Sequence, residues 1–278
     1  MPKESKDRAL FKYVKRNLLL YAIWFVILLP ITLHVRESWF YNGIGKGLLR
    51  LLKEFFLGDT FLASWFIMAS IIATVIVYLL SQKVNSYVLL SITGALNLLC
   101  CLTSNYRGIY VFDKLNQIIS PIIGNIRNNF VVALFWISLG MVFALKKVAI
   151  RKKTAIVGLV ISAVLLFAES KLTEKFLDAS GHSDCYFLLI PICFFIFALL
   201  LCYTDIKLKH AKFFRKSSTL IYVMHYAIII CLEKFTPYFG NLQYVIKFFA
   251  ASILALICSV IIIRLSNNSK LKFIRYLY

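Results

Sequence analysis

The sequence predicts an all-α fold, a polytopic bundle of about eight transmembrane helices, and three observations lead to that prediction. Hydrophobic residues make up 61% of the 278 residues and charged residues only 16%. In a soluble domain about 45–50% of the residues are apolar and roughly a quarter are charged. The mean hydropathy is +0.81. The apolar residues also fall in runs of about 17–25 residues, the length that crosses a bilayer. A soluble enzyme or nucleic-acid-binding domain is excluded, because a soluble surface needs more polar groups.

Eight apolar runs predict the spans of a single integral membrane domain that covers residues 1–278. The runs comprise residues 17–34, 61–81, 86–104, 129–145, 154–168, 185–203, 217–235 and 242–263. With a cytoplasmic N-terminus, the inner connections carry roughly twice as many Lys and Arg residues as the outer ones, in line with the positive-inside bias. Both termini are therefore predicted to be cytoplasmic. The net charge of +20 reflects this bias and contact with anionic lipid rather than a nucleic-acid partner.

Two outer connections are too long to be simple turns. In residues 44–56 the apolar side chains follow one helical face and the charged side chains the other, which predicts a helix lying in the headgroup plane. Residues 105–128 mix aromatic, apolar and polar side chains around Ser120 and Pro121. They are predicted to form a re-entrant or lid segment, which needs protein or a watery cavity to satisfy its backbone.

Polar side chains at membrane depth are candidates for chemistry, because they are costly there. His225 lies within the run 217–235, and its imidazole could act as a general base on an acceptor hydroxyl. The alternative is a neutral histidine that hydrogen-bonds a hydroxyl such as that of Tyr222 and holds helices together. Glu233 and Lys247 lie at similar depths from the outer ends of consecutive spans, and the simplest expectation is that they pair.

The basic inner connections are a second candidate. Arg16 follows Lys12 and Lys15 directly before the first span, and further Lys and Arg residues lie within 146–153 and 207–216. An activated donor that carries phosphates, such as an acyl-CoA, would find counter-charge here. Most of these residues are expected to be topology signals and lipid contacts. No motif predicts a metal site or a bound cofactor, so acyl-CoA is expected as a substrate only.

Four stretches, taken in order, resemble the membrane acyltransferase family 3. They are FKYVKRNLLLYAIWFVILLPI (11–31), LASWFIMASIIATVIVYLL (62–80), FWISLGMVFALKK (135–147) and FFRKSSTLIYVMHYAII (213–229). The resemblance covers nearly the whole chain and implies a ten-helix bundle. It also implies transfer of an acyl group, usually acetyl, from cytoplasmic acyl-CoA to a hydroxyl of a surface glycan or lipid-linked sugar. On this resemblance, Arg16 and Trp65 are carried over as substrate-binding residues and His225 as a catalytic residue.

The sequence departs from the family pattern around the expected catalytic centre. The eight spans correspond to the family's third to tenth helices, so the first helix, with the presumed catalytic His and its basic partner, is expected to be absent. Ala63 and Ser64 stand before Trp65 where the family has a His. Leu19 stands where the family has a second Arg.

Three hypotheses remain open at this point. The first is an O-acyltransferase of the bacterial cytoplasmic membrane that modifies cell-surface polysaccharide, with the lipid bilayer, acyl-CoA and a glycan or lipid-linked sugar as partners. The second is a catalytically inactive truncated homologue or accessory membrane subunit. The third, a glycan transporter or polymerase, is ranked last, because such proteins usually have more spans or internal repeats than this sequence contains.

Overall fold

The computed structural model describes residues 3–57, 65–106, 109–123, 126, 129–146, 148–177, 185–203, 209–233 and 243–278. Within these ranges every regular element is helical, which confirms the all-α class. Ten α-helices are described, and their bounds are α1 Lys3–Val35, α2 Ile44–Leu57, α3 Trp65–Ser81, α4 Ser86–Ser104, α5 Tyr110–Ile123, α6 Phe130–Lys146, α7 Lys152–Leu177, α8 Leu189–Leu201, α9 Ala211–Glu233 and α10 Gln243–Leu265. Two 3₁₀ helices, Glu37–Phe40 and Ser269–Leu277, complete the described elements.

Four of the described helices are long and apolar enough to cross a membrane, namely α1, α4, α7 and α10. Three shorter apolar helices, α3, α6 and α8, coincide with further predicted spans. The remaining predicted span lies in α9, whose first turns are polar, and the parts of predicted spans at 61–64, 234–235 and 242 lie outside the described residues. The number of eight spans and the cytoplasmic placement of both termini stay predictions.

Some helices extend well beyond the apolar runs that predict them. α4 has the predicted bounds, Ser86–Ser104, and its N-terminus is capped by Asn85, whose side chain accepts a hydrogen bond from the backbone N–H of Tyr87 at 2.9 Å. α1 begins at Lys3 and α7 ends at Leu177, because both polar flanks contain Lys, Glu and Leu, which are good helix formers, and the flank of α1 also contains Arg and Ala. Hydropathy marks only the part of a helix that suits lipid.

Contacts between backbone segments divide the chain into two compact units, Met1–Ile71 with Leu208–Tyr278, and Ile72–Lys207. In the first unit, α9 packs along α10. The buried hydroxyls of Ser217 and Ser259 hydrogen-bond across this contact at 2.7 Å, and small buried residues such as Ala227 and Ala255 let the two backbones approach closely.

The predicted helix at 44–56 is confirmed as α2, and its packing can be traced to individual residues. The hydroxyl of Tyr21 in α1 donates to the carbonyl oxygen of Phe55 at 3.1 Å, and their rings meet edge to face at 5.0 Å. Gly43 has a φ of +106° in the turn before α2, a value that favours glycine. Gly47 faces the Phe40 ring so closely that no Cβ would fit. The placement of α2 in the headgroup plane stays a prediction.

The second unit contains α4 to α8 and is held together by two kinds of contact. Gly158 of α7 lies directly against the ring of Phe195 in α8, which brings those helices together. The buried carboxylate of Glu169 accepts hydrogen bonds from the backbone N–H groups of Phe187 at 2.8 Å and Leu188 at 3.0 Å, at the start of α8. Because these amides are otherwise unsatisfied at a helix N-terminus, the carboxylate acts as a cap.

The segment 105–128 contains a regular helix rather than an irregular loop. Residues Tyr110–Ile123 form α5, with Val111 and Ile118 exposed. Parts of the segment, including 107–108, 124–125 and 127–128, lie outside the described residues. The prediction that this segment is a re-entrant or lid segment is therefore untested.

Candidate functional site

The candidate site follows the seam between α1 and α9 in the first unit. Arg16 and Arg215 line one cavity, and His34 and Glu233 line another. Low-numbered residues of both helices therefore meet at one end of the seam and high-numbered residues at the other, so α1 and α9 run parallel. From Arg16 to His34 the rise along α1 is about 27 Å, close to the roughly 30 Å thickness of a bilayer hydrocarbon core.

At the Arg16 end, the seam opens into a cavity of about 370 Å³ that we call the basic pocket. It is lined by Arg16, Asn17, Leu19, Leu20, Arg215, Lys216, Thr219, Arg275, Tyr276 and Tyr278. Four of these side chains are cationic and none is acidic. Arg16, predicted to bind substrate, is therefore joined by cations from α9 and from the C-terminus. Such a pocket favours a ligand with several negative charges.

Next along the seam lies a smaller cavity of about 300 Å³ that we call the hydroxyl pocket. It is lined by Asn17, Leu20, Phe66, Ile67, Ser70, Ser218, Thr219 and Tyr222. The Tyr13 hydroxyl donates to the Ser70 hydroxyl at 3.3 Å. The Tyr222 hydroxyl accepts a hydrogen bond from the backbone N–H of Phe66 at 3.3 Å and so links α9 to the first turn of α3.

Trp65, the second predicted substrate-binding residue, begins α3 beside this pocket. Its ring meets that of Phe66 edge to face at 5.6 Å. Phe66 and Ile67 line the hydroxyl pocket, whereas Trp65 does not. Its predicted role in binding substrate is untested. The preceding Ala63 and Ser64 lie outside the described residues.

His225, the predicted catalytic residue, is half-buried and lies one turn beyond Tyr222 on α9. Its Nδ1 is 2.7 Å from the carbonyl oxygen of Tyr222 and 3.3 Å from that of Ile221. A carbonyl oxygen only accepts, so Nδ1 carries the hydrogen of the neutral ring and Nε2 keeps a lone pair. The Tyr222 hydroxyl, the partner in the alternative interpretation, accepts the N–H of Phe66, and the described bonds of the ring go to backbone carbonyls. A ring held in this way can accept a proton through Nε2.

The sequence-predicted residues are brought to one unit but not to one point. Arg16 faces Arg215 across the basic pocket, and the rise along α9 from Arg215 to His225 is about 15 Å. Trp65 lies between these levels, next to the hydroxyl pocket but not lining it, because its neighbour Phe66 contacts Tyr222. The three predicted residues therefore lie at different levels of the first unit, and His225, like Trp65, lines none of the three cavities described here.

The largest of the three cavities lies at the His34 end and has a volume of about 710 Å³. It is lined by Pro30, Ile31, His34, Val35, Ile230, Cys231 and Glu233, so three titratable side chains face an otherwise mainly apolar space. The predicted pair of Glu233 with Lys247 does not form between these two described residues. The Lys247 ammonium instead lies 5.9 Å from the centre of the Tyr244 ring, and both charged groups stand near helix ends, where long side chains can reach polar surroundings.

Sequence reasoning missed the residues that the C-terminus adds to the basic pocket, namely Arg275, Tyr276 and Tyr278. Their signal in the sequence is the alternation of basic and aromatic residues in KLKFIRYLY, residues 270–278. That alternation alone does not show that the segment folds back on α1 and α9. In the part of the chain that the structure describes, no three His, Cys, Asp or Glu side chains gather to hold a metal ion.

Comparison with known proteins gives one family and one distant relative. The profile of the acyltransferase domain family, the membrane acyltransferase family 3, matches residues 3–264. An amino-acid racemase from Enterococcus faecalis is 27% identical over 263 residues, which are 91% of this chain but 36% of that protein. The chain thus spans about a third of the length of the relative it matches. No solved structure matches the chain significantly. The family match includes α1, α3 and α9 but ends before the C-terminal 3₁₀ helix.

Proposed function

The chain belongs to the membrane acyltransferase family 3, and on that premise we propose that it is a membrane O-acyltransferase. It moves an acyl group, acetyl in the simplest case, from cytoplasmic acyl-CoA to a hydroxyl of a cell-surface or lipid-linked carbohydrate. The observation that carries this proposal is helix α9, which supplies Arg215 and Lys216 to the basic pocket and holds the oriented imidazole of His225 further along its length. The bacterial cytoplasmic membrane is the proposed location.

The basic pocket is the proposed site for the phosphates of acyl-CoA. Arg16, Arg215, Lys216 and Arg275 approach from three separate segments, and charge-assisted hydrogen bonds from guanidinium groups to phosphate oxygens are strong and directional. The pocket lies at the end of the seam that the Lys and Arg distribution predicts to be cytoplasmic. Acyl-CoA, which is made in the cytoplasm, would enter from that side.

His225 is the proposed general base. Its Nε2 takes the proton from the acceptor hydroxyl while the hydroxyl oxygen attacks the thioester carbonyl carbon. A carbon–oxygen bond forms, the carbon–sulfur bond breaks, and the leaving CoA thiolate receives the proton from the imidazolium. The hydrogen bond to the Tyr222 carbonyl, 2.7 Å long, stabilises the ring when it carries this charge.

Tyr222 is the proposed donor to the oxyanion that forms during attack. Its hydroxyl accepts the N–H of Phe66, and a tyrosine hydroxyl that accepts one hydrogen bond can still donate its own hydrogen. It faces the hydroxyl pocket, one turn from His225. A donor aimed at a developing negative charge supplies a large part of the rate in acyl transfer.

The test is acyl transfer by purified protein in lipid nanodiscs. Radiolabelled acetyl-CoA and a panel of lipid-linked sugars are incubated with the wild-type chain, Arg16→Gln and Lys15→Gln. Lys15 is exposed and does not line the basic pocket, so its variant is a control matched in charge. We expect the wild-type chain to transfer acetyl groups. Arg16→Gln should lower kcat/KM about tenfold by raising KM for acetyl-CoA, and Lys15→Gln should leave it nearly unchanged. A folded wild-type chain that transfers no acyl group from acetyl-CoA or longer acyl-CoA would contradict the proposal.

A second candidate is a catalytically inactive homologue or accessory membrane subunit. It is favoured by the relative from Enterococcus faecalis, in which the similar segment forms part of a longer protein named an amino-acid racemase. A segment similar to this chain can therefore form part of a longer protein that is named for a different reaction. The assay above separates the two candidates, because an accessory subunit folds and assembles but has no acyl-CoA turnover. Uptake of a lipid-linked sugar into vesicles without acyl-CoA would favour a transporter instead.

A further inference from the structure

The C-terminal strap, which we define as residues 269–278, folds back into the first unit and is held there by buried partners. The indole N–H of Trp24 in α1 donates to the carbonyl oxygen of Leu277 at 2.9 Å. The Tyr278 and Ser266 hydroxyls are 2.6 Å apart, and Nε of Arg275 donates to the carbonyl oxygen of Ser266 at 3.2 Å. Trp24 is 4% exposed and Ser266 fully buried. These anchors fix the strap in one position.

The strap completes the wall of the basic pocket. Arg275, Tyr276 and Tyr278 line the cavity together with Arg16 of α1 and with α9. The Lys216 ammonium lies 4.5 Å from the centre of the Tyr278 ring and 3.3 Å from its hydroxyl oxygen. Tyr278 thereby holds the Lys216 ammonium beside the cavity. The four cationic side chains of the pocket repel one another in this arrangement.

Four cationic side chains and no acidic side chain line the same cavity, and this excess of positive side chains favours a polyanion. The Tyr276 side chain is 59% exposed, so its ring offers a face on which a heteroaromatic base can stack. Phosphate groups and an aromatic base together are the chemistry of a nucleotide. A lipid headgroup such as that of phosphatidylglycerol has phosphate but no base, so it offers no stacking partner for the exposed Tyr276 ring.

We infer that the strap is a binding element for the nucleotide part of the donor, with Arg275 bound to its phosphates and Tyr276 stacked on its base. This inference rests on the proposed function for the identity of the donor, acyl-CoA. The strap lies beyond residue 264, where the family match ends, so this binding element is a feature of this chain outside the matched region. Arg275 keeps one guanidinium nitrogen on Ser266 and turns the others to the ligand.

The test measures binding of coenzyme A itself, without catalysis, to the full chain in nanodiscs of zwitterionic lipid. Isothermal titration compares the wild-type chain with Arg275→Gln, Tyr276→Ala and Lys272→Gln. Lys272 belongs to the same strap, is exposed and does not line the pocket, so its loss of charge is the matched control. We expect Kd to rise about tenfold for Arg275→Gln and about fivefold for Tyr276→Ala, and to stay within about twofold for Lys272→Gln.

Each outcome bears on one claim. If the wild-type chain transfers acyl groups but Arg275→Gln and Lys272→Gln bind coenzyme A equally, the strap inference is overturned and the proposed function stands. If coenzyme A binding depends on Arg275 but no acyl transfer occurs, the proposed function fails and the strap site stands. Titration with inorganic pyrophosphate isolates the phosphate contribution, which Arg275→Gln should weaken and Tyr276→Ala should not.

A second nanodisc series separates the two sources of phosphate. Nanodiscs of anionic phosphatidylglycerol are titrated with coenzyme A in the same way. If anionic lipid abolishes coenzyme A binding in the wild-type chain, the pocket takes lipid headgroups and the inference is overturned. Retained binding that still depends on Arg275 supports it. Arg275→Lys, which keeps the charge, guards against loss of folding in Arg275→Gln, and thermal unfolding of all variants is recorded alongside.

Discussion

His225 and Tyr222 are joined by a hydrogen bond within one turn of α9, from Nδ1 of the imidazole to the backbone carbonyl oxygen 2.7 Å away. A histidine that held helices together would bond to a second helix, yet both described partners of this ring are carbonyl oxygens of α9 itself. The bond fixes the tautomer and turns Nε2 away from the helix backbone. Among the described residues the ring forms no hydrogen bond to a second helix, and its role as a catalytic residue stays a prediction.

The first prediction concerns this histidine. His225→Ala should lower acyl transfer at least tenfold, because the general base is lost, while leaving the thermal unfolding midpoint nearly unchanged. His210→Ala is the matched control, since His210 is exposed and lies just before α9, whereas His225 is half-buried within that helix. Transfer rates are measured with saturating acetyl-CoA. Full activity in His225→Ala would make the residue structural.

Tyr222 gives a second prediction with two separate readouts. Tyr222→Phe removes the acceptor for the Phe66 N–H and should lower the free energy of unfolding by about 0.5–1.5 kcal/mol. If the hydroxyl also stabilises the oxyanion, kcat falls by about a hundredfold with little change in KM. Tyr226→Phe, on the same helix but 40% exposed, should change neither quantity. A loss of stability with unchanged kcat would restrict Tyr222 to capping α3.

Local patterns predicted much of this fold. The bounds of α4 follow from an apolar run between polar residues, and α2 follows from its two-faced charge pattern. The order of the family-like stretches placed Arg16, Trp65 and His225 in the three segments that the structure groups in one unit. These features depend on neighbours within a few turns, and such information is contained in a short window of sequence.

The parts that the sequence did not predict depend on distant contacts. Trp24 and Leu277 are 253 positions apart, yet their hydrogen bond places the strap against α1. Composition and periodicity carry no information on which buried donor a distant carbonyl will meet. The same holds for Glu169, which has Tyr106 and the start of α8 as its partners. Polar residues were selected from the sequence by their depth within a predicted span, and Glu169 was not selected by that criterion.

A third prediction uses the hydrogen bond between the Tyr106 hydroxyl and the Glu169 carboxylate. Burial, the hydrogen bond to Glu169 and the negative charge of Glu169 all raise the pKa of Tyr106 well above its ordinary value of 10.0. The folded state therefore keeps this proton at a pH where the unfolded state loses it. The stability that Tyr106 contributes is complete below pH 10 and declines as the pH rises above that value.

The measurement is the unfolding midpoint in detergent from pH 8 to pH 11. The wild-type chain should lose stability above about pH 10 more steeply than Tyr106→Phe, which has no proton to lose. Tyr110→Phe is the control, because Tyr110 is 73% exposed and its variant should follow the wild-type curve. Parallel curves for the wild type and Tyr106→Phe would show that the carboxylate does not influence this hydroxyl.

The last prediction tests the contact between Gly158 and Phe195 that joins α7 to α8. A Cβ at Gly158 would overlap the Phe195 ring, so Gly158→Ala should lower the free energy of unfolding by about 1–3 kcal/mol. Gly140→Ala is the matched control, since a Cβ there meets nothing within 4 Å and alanine favours the helix by about 0.5–1 kcal/mol. Combining Gly158→Ala with Phe195→Leu should recover part of the loss, because the smaller side chain frees the space that the methyl group needs. Equal stability of Gly158→Ala and the wild-type chain would mean that the Phe195 ring moves aside at no cost, contrary to a tightly packed α7–α8 contact.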